Sequence, residues 1–205
     1  MVMQTPTLPG AAISGPAILP TVAATPLPTR VLEPPARPQR SARIIVTNDS
    51  LWAGHPASQT VTSLRLPLGR RDWQTKVGCQ PATLALAGLR LLVACFDSGQ
   101  MLVLDRREGN VLARRWVGHG PFGVLAAPGR IYVTLAHEEA ILVLRDDTLA
   151  KIARVPTGRQ PRGLALNGGR LYVVHLVDAT VLAFNARTMK RLGDIQVGLQ
   201  AALAE

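Results

Sequence analysis

Short apolar runs alternate with turn-forming residues along the chain from about residue 41 onward. None of these runs is long enough for a helix, and their lengths are typical of β-strands. In the stretch VGHGPFGVLAAPGRIYVTLAHEEAILVLRDDTLAKIARV the pattern predicts four strands, at 123–126, 130–135, 140–144 and 151–155. Turns are predicted between them, at 128–129, 137–139 and 146–147. The residues there tolerate a positive φ or satisfy nearby backbone donors, so the unit is predicted to be an antiparallel meander.

The predicted strands are apolar on both faces. RLLVACF and AILVLR show this most clearly, because neither alternates between apolar and polar residues. An antiparallel sheet with two apolar faces has to be covered by another sheet on each side. The units are therefore predicted to stack.

The unit recurs every 40 residues. Positions that keep this step carry glycine, proline, arginine, valine or a large apolar residue: Gly78, Gly118, Gly158 and Gly198; Pro81, Pro121 and Pro161; Arg90, Arg130 and Arg170; Val93, Val133 and Val173; Leu104, Leu144 and Phe184. The step projected backwards places Ala53 under Val93 and Leu64 under Leu104, which indicates a more divergent first copy. The predicted copies are 41–77, 78–117, 118–157 and 158–197.

A period near 40 with four strands per unit is typical of a β-propeller, in which each blade is buried by its neighbours. The predicted fold class is therefore all-β, with four four-stranded antiparallel blades. A solenoid of stacked sheets is the alternative.

Three strings resemble the YVTN-type β-propeller repeat: PFGVLAAPGRIYVT, PRGLALNGGRLYVV and PATLALAGLRLLVA, each preceded by a glycine. RIIVTND in the first copy also looks like this motif, although a register without gaps places Trp52 and Ala53 there instead. The resemblance covers residues 43–198. It implies a ring that commonly has seven blades, and an extracytoplasmic location in the periplasm or at the cell surface.

The two ends of the chain fall outside the four copies. Residues 1–40 hold nine of the 16 prolines and are predicted to be a disordered leader or linker, or else a ligand for proline-binding domains. Residues 198–205 are predicted to begin a fifth blade, so the chain is expected to be part of a larger ring. A ring closed by four blades is the alternative.

Composition excludes several classes of protein. Hydrophobic residues make up 47% of the chain and charged residues 18%, which is a globular composition without a membrane-spanning apolar run. The net charge of +10 comes mainly from arginines dispersed along the sequence, and aromatic residues are only 4%, so no nucleic-acid partner is expected. Cys79 and Cys95 are too few for a disulfide framework or a four-thiolate zinc site, and their redox state stays open.

Ligands of a propeller are expected where the loop between blades meets the loop between the second and third strands of a blade. The candidate ligand-binding residues in these loops are Gln80, His119, Phe122, His137, Arg159, Gln160 and Arg162. These side chains favour an anionic small molecule or an acidic peptide, but solvated loop residues give the same pattern.

No catalytic residue, metal or other cofactor is predicted. His55 and His175 share a repeat position but lie three blades apart, too far for one zinc ion. His119 and His137 alone make a weak metal site, and no GxSxG elbow or phosphate-binding loop occurs. Arg90, Arg130 and Arg170 are interpreted as structural, with a basic arc for an acidic partner as the alternative.

The predicted function is a non-enzymatic binding or scaffold propeller whose loop face holds a protein, peptide or anionic ligand. Partners are also expected at the terminal blades, because the rest of a ring or an oligomer must cover them. The alternative, implied by the same resemblance, is a fragment of a lactonase-like or cofactor-linked dehydrogenase propeller whose catalytic residues lie in other blades.

Overall fold

The computed structural model describes residues 44–67 and 69–197, and all the regular structure in these ranges is β-strand. Sixteen strands form four antiparallel sheets of four strands, and each sheet consists of four consecutive strands in order. Blade 1 contains β1 (Ile44–Val46), β2 (Ser50–His55), β3 (Thr60–Arg65) and β4 (Arg70–Lys76). Blade 2 contains β5 (Pro81–Ala87), β6 (Arg90–Cys95), β7 (Gln100–Asp105) and β8 (Val111–Trp116). Blade 3 contains β9 (Pro121–Ala127), β10 (Arg130–Leu135), β11 (Ala140–Arg145) and β12 (Lys151–Pro156). Blade 4 contains β13 (Pro161–Asn167), β14 (Arg170–His175), β15 (Thr180–Asn185) and β16 (Arg191–Gln196).

The four strands predicted in the third copy are confirmed as β9 to β12. In the first copy, Trp52 pairs with Ile45 as Leu92 pairs with Ala85 in blade 2, so the register without gaps holds there. RIIVTND therefore contributes the short first strand of blade 1 and is not the second-strand motif. The predicted leader at 1–40 and the predicted fifth-blade start at 198–205 lie outside the described residues.

The repeat extends to the backbone conformation of the turns. The last residue of the turn between the second and third strands has a positive φ in every blade: Gln59 (55°), Gly99 (68°), Glu139 (50°) and Ala179 (49°). The turn before each fourth strand shows the same feature at Gly69, Gly109, Leu149 and Met189. Only two of these four turns use glycine, so the left-handed conformation follows from the repeated geometry of the meander and is imposed even on leucine and methionine.

Blades 2 and 3 each bury one face against the next blade and the other against the previous one, whereas blades 1 and 4 each bury one face in this way. We call these the forward face and the rear face. Residues directly opposite each other in antiparallel strands share a face, so Tyr132 and Val143 lie on the forward face of blade 3, whereas Val133 and Leu142 lie on its rear face. In the described chain, three apolar clusters fill the three contacts between successive blades.

The first strands of the blades lie side by side. β1 contacts β5, β5 contacts β9, and β9 contacts β13. The first strand of each sheet is therefore innermost and the fourth is outermost, as in the blades of a β-propeller.

A recurring hydrogen bond crosses each contact between blades. Its acceptor is the carbonyl of the residue that directly follows the third strand: Arg106, Asp146 or Ala186. The donor from the preceding blade is the Trp73 indole (3.2 Å), the Arg90 guanidinium, or the Tyr132 hydroxyl (2.8 Å). The bond made by Arg90 is the carbonyl contact expected for a structural arginine. Within the described residues, neither Arg130 nor Arg170 makes this bond to the following blade.

Blades 3 and 4 approach each other closely at Gly123. The Thr134 hydroxyl accepts the Gly123 amide hydrogen at 2.7 Å and donates to the Arg162 carbonyl at 2.9 Å. A Cβ at position 123 would overlap that carbonyl oxygen, which belongs to the backbone and cannot rotate away. Glycine is therefore required by space at this contact.

We predict that Gly123→Ala lowers the free energy of unfolding by about 1–3 kcal/mol, the usual cost of overpacking. Chemical denaturation with urea measures this difference. Gly193→Ala is the matched control, because a Cβ there meets nothing within 4 Å and its φ is not in the left-handed region. Equal stability of the two variants would show that blades 3 and 4 do not meet at Gly123.

Candidate functional site

The loop between blades and the loop between the second and third strands meet in blades 2, 3 and 4, as the sequence predicts. One backbone hydrogen bond joins them at the same repeat position in each blade: Phe96 N to Gln80 O, Ala136 N to Gly120 O, and Leu176 N to Gln160 O, at 2.8–3.1 Å. We call the surface formed by these paired loops the loop face.

A carboxylate adds a second link within each loop pair. Asp97 accepts from the Gln80 amide at 2.9 Å, and Glu138 accepts from the His119 amide at 2.6 Å. Asp178 accepts from the Arg159 amide at 2.7 Å. These hydrogen bonds satisfy backbone amides of the loops between blades, which have no partner in a neighbouring strand. The three acids therefore hold the loops in place.

The predicted ligand-binding residue Arg159 is bound to its own loop partner. Its guanidinium Nε lies 2.7 Å from Asp178 Oδ1, in addition to the amide bond to Oδ2. Both hydrogen bonds lower the pKa of the Asp178 carboxyl below its usual value. The Arg159 side chain is therefore used within its own loop pair.

Four of the candidates take part in one aromatic cluster. The Arg162 guanidinium lies over the Phe122 ring at 4.4 Å and over the Phe96 ring at 5.4 Å. Phe96 also meets His137 edge to face, with ring centroids 5.0 Å apart. Gln160 accepts a hydrogen bond from Arg162 Nη2 at 3.2 Å. A guanidinium against aromatic faces is held in a fixed position while it keeps its charge.

A cleft of about 490 Å³ opens beside this cluster, between the loops of blades 2 and 3. Three predicted residues line it, Gln80, His119 and His137, together with Phe96, Asp97 and Trp116. Trp116 meets the His119 ring edge to face, with ring centroids 5.7 Å apart. Trp116 is 61% exposed, so its side of the cleft is open to solvent. The cleft therefore has two aromatic walls, each carrying an imidazole.

Sequence reasoning missed Trp116 and Phe96. Trp116 ends the outer strand of blade 2 at a position that holds Lys76, Pro156 and Gln196 in the other blades, so the repeat gave no signal for it. A usable signal is the glycine in the turn that precedes β7. Gly99 has a φ of 68°, and a Cβ there would lie 2.9 Å from the Trp116 indole nitrogen, so this turn leaves room for the indole.

A second cleft, of about 610 Å³, lies between the outer parts of blades 3 and 4. Leu182 and Phe184 contribute apolar surface to it. Its charged residues Arg191 and Asp194 pair with each other at 2.8 Å. None of the predicted ligand-binding residues lines this cleft.

The loop pair of blade 2 is joined covalently. Cys79 and Cys95 form a disulfide, with their Cα atoms 5.5 Å apart. Sequence reasoning left their redox state open, although the repeat places Cys79 in the loop between blades and Cys95 at the adjoining end of the second strand. Because these two segments meet in every blade of this kind, the repeat could have predicted that the two cysteines pair.

Blade 4 places a buried histidine where blade 2 has Cys95. His175 is 1% exposed, and its Nε2 accepts the Gly158 amide hydrogen at 3.0 Å and lies 2.7 Å from the Thr157 hydroxyl. Burial is the main reason why the pKa of His175 falls below its usual value of 6.5. The neutral ring therefore serves as a structural acceptor in the loop pair.

The described residues contain neither a cluster of metal ligands nor a membrane-spanning helix. No group of three or more His, Cys, Asp and Glu side chains in ranges 44–67 and 69–197 is arranged to hold a metal ion. The same part of the chain contains no helix with the length and hydropathy needed to cross a membrane.

Comparison with known proteins identifies the fold. No family model matches the chain, and no curated protein matches it by sequence. Hydrazine synthase from Kuenenia stuttgartiensis matches with a TM-score of 0.68 and 19% identity over 87% of this chain and 52% of that chain. BamB from Moraxella catarrhalis matches with a TM-score of 0.64 and 17% identity, over 80% and 51%. The WD40 repeats of RRP9 match with a TM-score of 0.65 and 15% identity, over 75% and 53%.

These likenesses concern the fold alone. Together with the four sheets, they show a partial β-propeller with WD40-like repeats. The chain spans about half the length of the solved structures it matches.

We predict that removing the disulfide in Cys79→Ala/Cys95→Ala lowers the free energy of unfolding by roughly 3 kcal/mol, because the bridge closes a loop with a sequence separation of 16. Urea denaturation without added oxidant or reductant measures this loss of stability. Adding dithiothreitol to the wild-type chain should remove most of the difference. A difference that persists unchanged in reductant would contradict this origin.

We predict that acid weakens the fold through His175. Its folded pKa lies below the unfolded value, so the stabilisation is complete above about pH 6.5 and is lost as the pH falls toward the folded pKa. His175→Gln keeps an acceptor for the Gly158 amide without a titrating ring. The wild type should therefore lose more stability than this variant between neutral pH and pH 5, measured by urea denaturation at each pH. Parallel pH profiles would refute the assignment.

Proposed function

We propose that this chain is a non-enzymatic binding propeller of the YVTN type, which uses its loop face to hold a peptide segment of a protein partner. The observation that carries the proposal is the cleft between blades 2 and 3, where Trp116 and His119 face Phe96 and His137. Exposed tryptophan and other aromatic residues are the side chains that most often dominate protein recognition.

The cleft suits a peptide that carries an aromatic side chain next to acidic residues. Its volume of about 490 Å³ accepts a ring, and the aromatic walls offer edge-to-face contacts. The Arg162 guanidinium, held over Phe122 and Phe96, places positive charge next to Phe96, one of the residues that line the cleft. The chain as a whole carries a net charge of +10, which favours an acidic partner during encounter.

The roles of the loop carboxylates support binding rather than catalysis. Asp97, Glu138 and Asp178 each accept a backbone amide of the neighbouring loop, and Glu138 also pairs with Arg154 at 2.7 Å. A general acid or base has to be available to a substrate proton. These three groups instead have structural partners.

An extracytoplasmic location, in the periplasm or at the cell surface, is part of the proposal. The Cys79–Cys95 disulfide supports it, because such bonds form and persist in oxidising compartments. The resemblance of the repeat strings to YVTN-type proteins points the same way. Expression with and without export, followed by thiol labelling of the recovered protein, tests this location.

We predict that Trp116→Ala weakens peptide binding by about 2 kcal/mol, or roughly thirtyfold, as expected for a central aromatic contact. The probe is a fluorescein-labelled peptide with alternating aspartate and tyrosine residues, and fluorescence anisotropy gives its Kd. His119→Ala should weaken binding as well, whereas Arg159→Ala should have a smaller effect because Arg159 is paired with Asp178.

Leu112→Ala is the matched control for Trp116→Ala. Leu112 lies on the same strand, β8, and its exposed fraction of 57% is close to that of Trp116, but it does not line the cleft. Binding that is unchanged by both Trp116→Ala and His119→Ala, or weakened equally by Leu112→Ala, would remove the cleft from the proposal.

A further inference from the structure

The forward face of blade 4 is apolar and uncovered by any described residue. Its residues include Tyr172, Val174, Val181, Ala183 and Ile195, which share one face through the pairing of β13 to β16. Val174 is 37% exposed and Ile195 is 55% exposed. The equivalent positions in blade 3 hold Tyr132, Thr134, Ile141, Val143 and Val155, which pack against blade 4 or lie buried beneath it.

The rear face of blade 1 is uncovered in the same way. Ile44 and Val46 are each 59% exposed, and Leu51, Ala53 and Leu64 beside them are only partly covered. Their equivalents in blade 2 belong to the apolar cluster under blade 1: Leu84, Leu86, Leu91, Val93 and Leu104. The two ends of the described arc therefore carry the two complementary halves of one repeated contact.

The two uncovered faces also carry the groups that form the recurring hydrogen bond between successive blades. The carbonyls of residues 106, 146 and 186 each accept a side-chain donor from the preceding blade. The equivalent residue in blade 1 is Leu66, whose amide bonds to Asp49 O as the amide of Ala186 bonds to Gly169 O. On the forward face of blade 4, Tyr172 occupies the position of the donor Tyr132. The repeat therefore supplies an acceptor on blade 1 and a donor on blade 4.

The two uncovered faces indicate what completes the ring, because each is the counterpart of the other in the repeated contact between blades. The chain covers 52%, 51% and 53% of the three solved structures described above, so a ring of that length has room for a second set of four blades. A contact between two different faces either closes into a ring or continues as a filament. Two four-bladed halves satisfy both uncovered faces when the contact closes after two copies.

We propose that two copies of this chain associate head to tail, with the forward face of blade 4 on the rear face of blade 1 of the partner, and close a ring of twice four blades. The partner that covers each face is thus a second copy of this chain. The cleft between blades 2 and 3 belongs to neither face, so peptide binding and dimerisation fail or succeed independently.

Size-exclusion chromatography with light scattering tests the proposal on the full chain. The wild type should have twice the monomer mass of 21.9 kDa. Val174→Lys and Leu51→Glu, one on each face, should each halve the measured mass. Leu112→Glu places a charge at an exposed position of an outer strand and should leave the dimer intact. Far-UV circular dichroism confirms that the monomeric variants retain their sheets, which both substitutions leave internally paired.

Mixing the two monomeric variants tests the head-to-tail geometry. The Val174→Lys copy keeps its blade 1 face, and the Leu51→Glu copy keeps its blade 4 face, so an equimolar mixture should return to the dimer mass. A contact between two identical faces predicts instead that one of the single variants remains dimeric. A monomeric wild type, a wild type larger than a dimer, a dimeric Leu51→Glu or Val174→Lys variant, or a mixture that stays monomeric would each overturn the proposal.

Discussion

Apolar contact between the faces of successive sheets is the interaction on which the other features of this chain depend. Each four-stranded meander has two apolar faces, and hydrogen bonds within the sheet cover neither of them. At about 25 cal/mol per Å² of apolar surface removed from water, another sheet of similar size covers such a face with a large gain in stability. The three clusters between the blades are the result, and the close approach at Gly123 shows how little room they leave.

The stacked sheets also determine where chemistry is possible. Because the faces are used for packing, polar and aromatic side chains with access to solvent are concentrated in the loops at the ends of the strands. In blade 2 and blade 3 these loops bring imidazoles and aromatic rings together from segments that are far apart in the sequence, such as Phe96, Trp116 and His137. The rigidity of the blades keeps these groups at fixed separations, which favours recognition of a defined partner.

Much of the fold could be predicted from the sequence because the same pattern of apolar runs and turn residues occurs in several copies. The strands of blade 3 and the meeting of the two loop types follow from apolar runs and turn residues that recur every 40 positions. Features present in one blade alone could not be predicted in this way. Trp116 has no aromatic equivalent in other blades, and the pairing of Arg159 with Asp178 has no counterpart at His119, whose amide alone reaches Glu138. The Cys79–Cys95 bond is another local substitution, at a place where blade 4 uses His175.

The carboxylates in the loops bind main-chain amides, so they fix the shape of the loop face whatever side chains it carries. Asp97, Glu138 and Asp178 hold the main chain of the neighbouring loop and leave the identity of residues such as Gln80 and His119 without a role in that link. Substitutions at Gln80 and His119 therefore leave the main-chain link of each loop pair in place. A scaffold of this kind is suited to diversification toward many partners, because the side chains of its loop face can change while the path of its main chain stays the same.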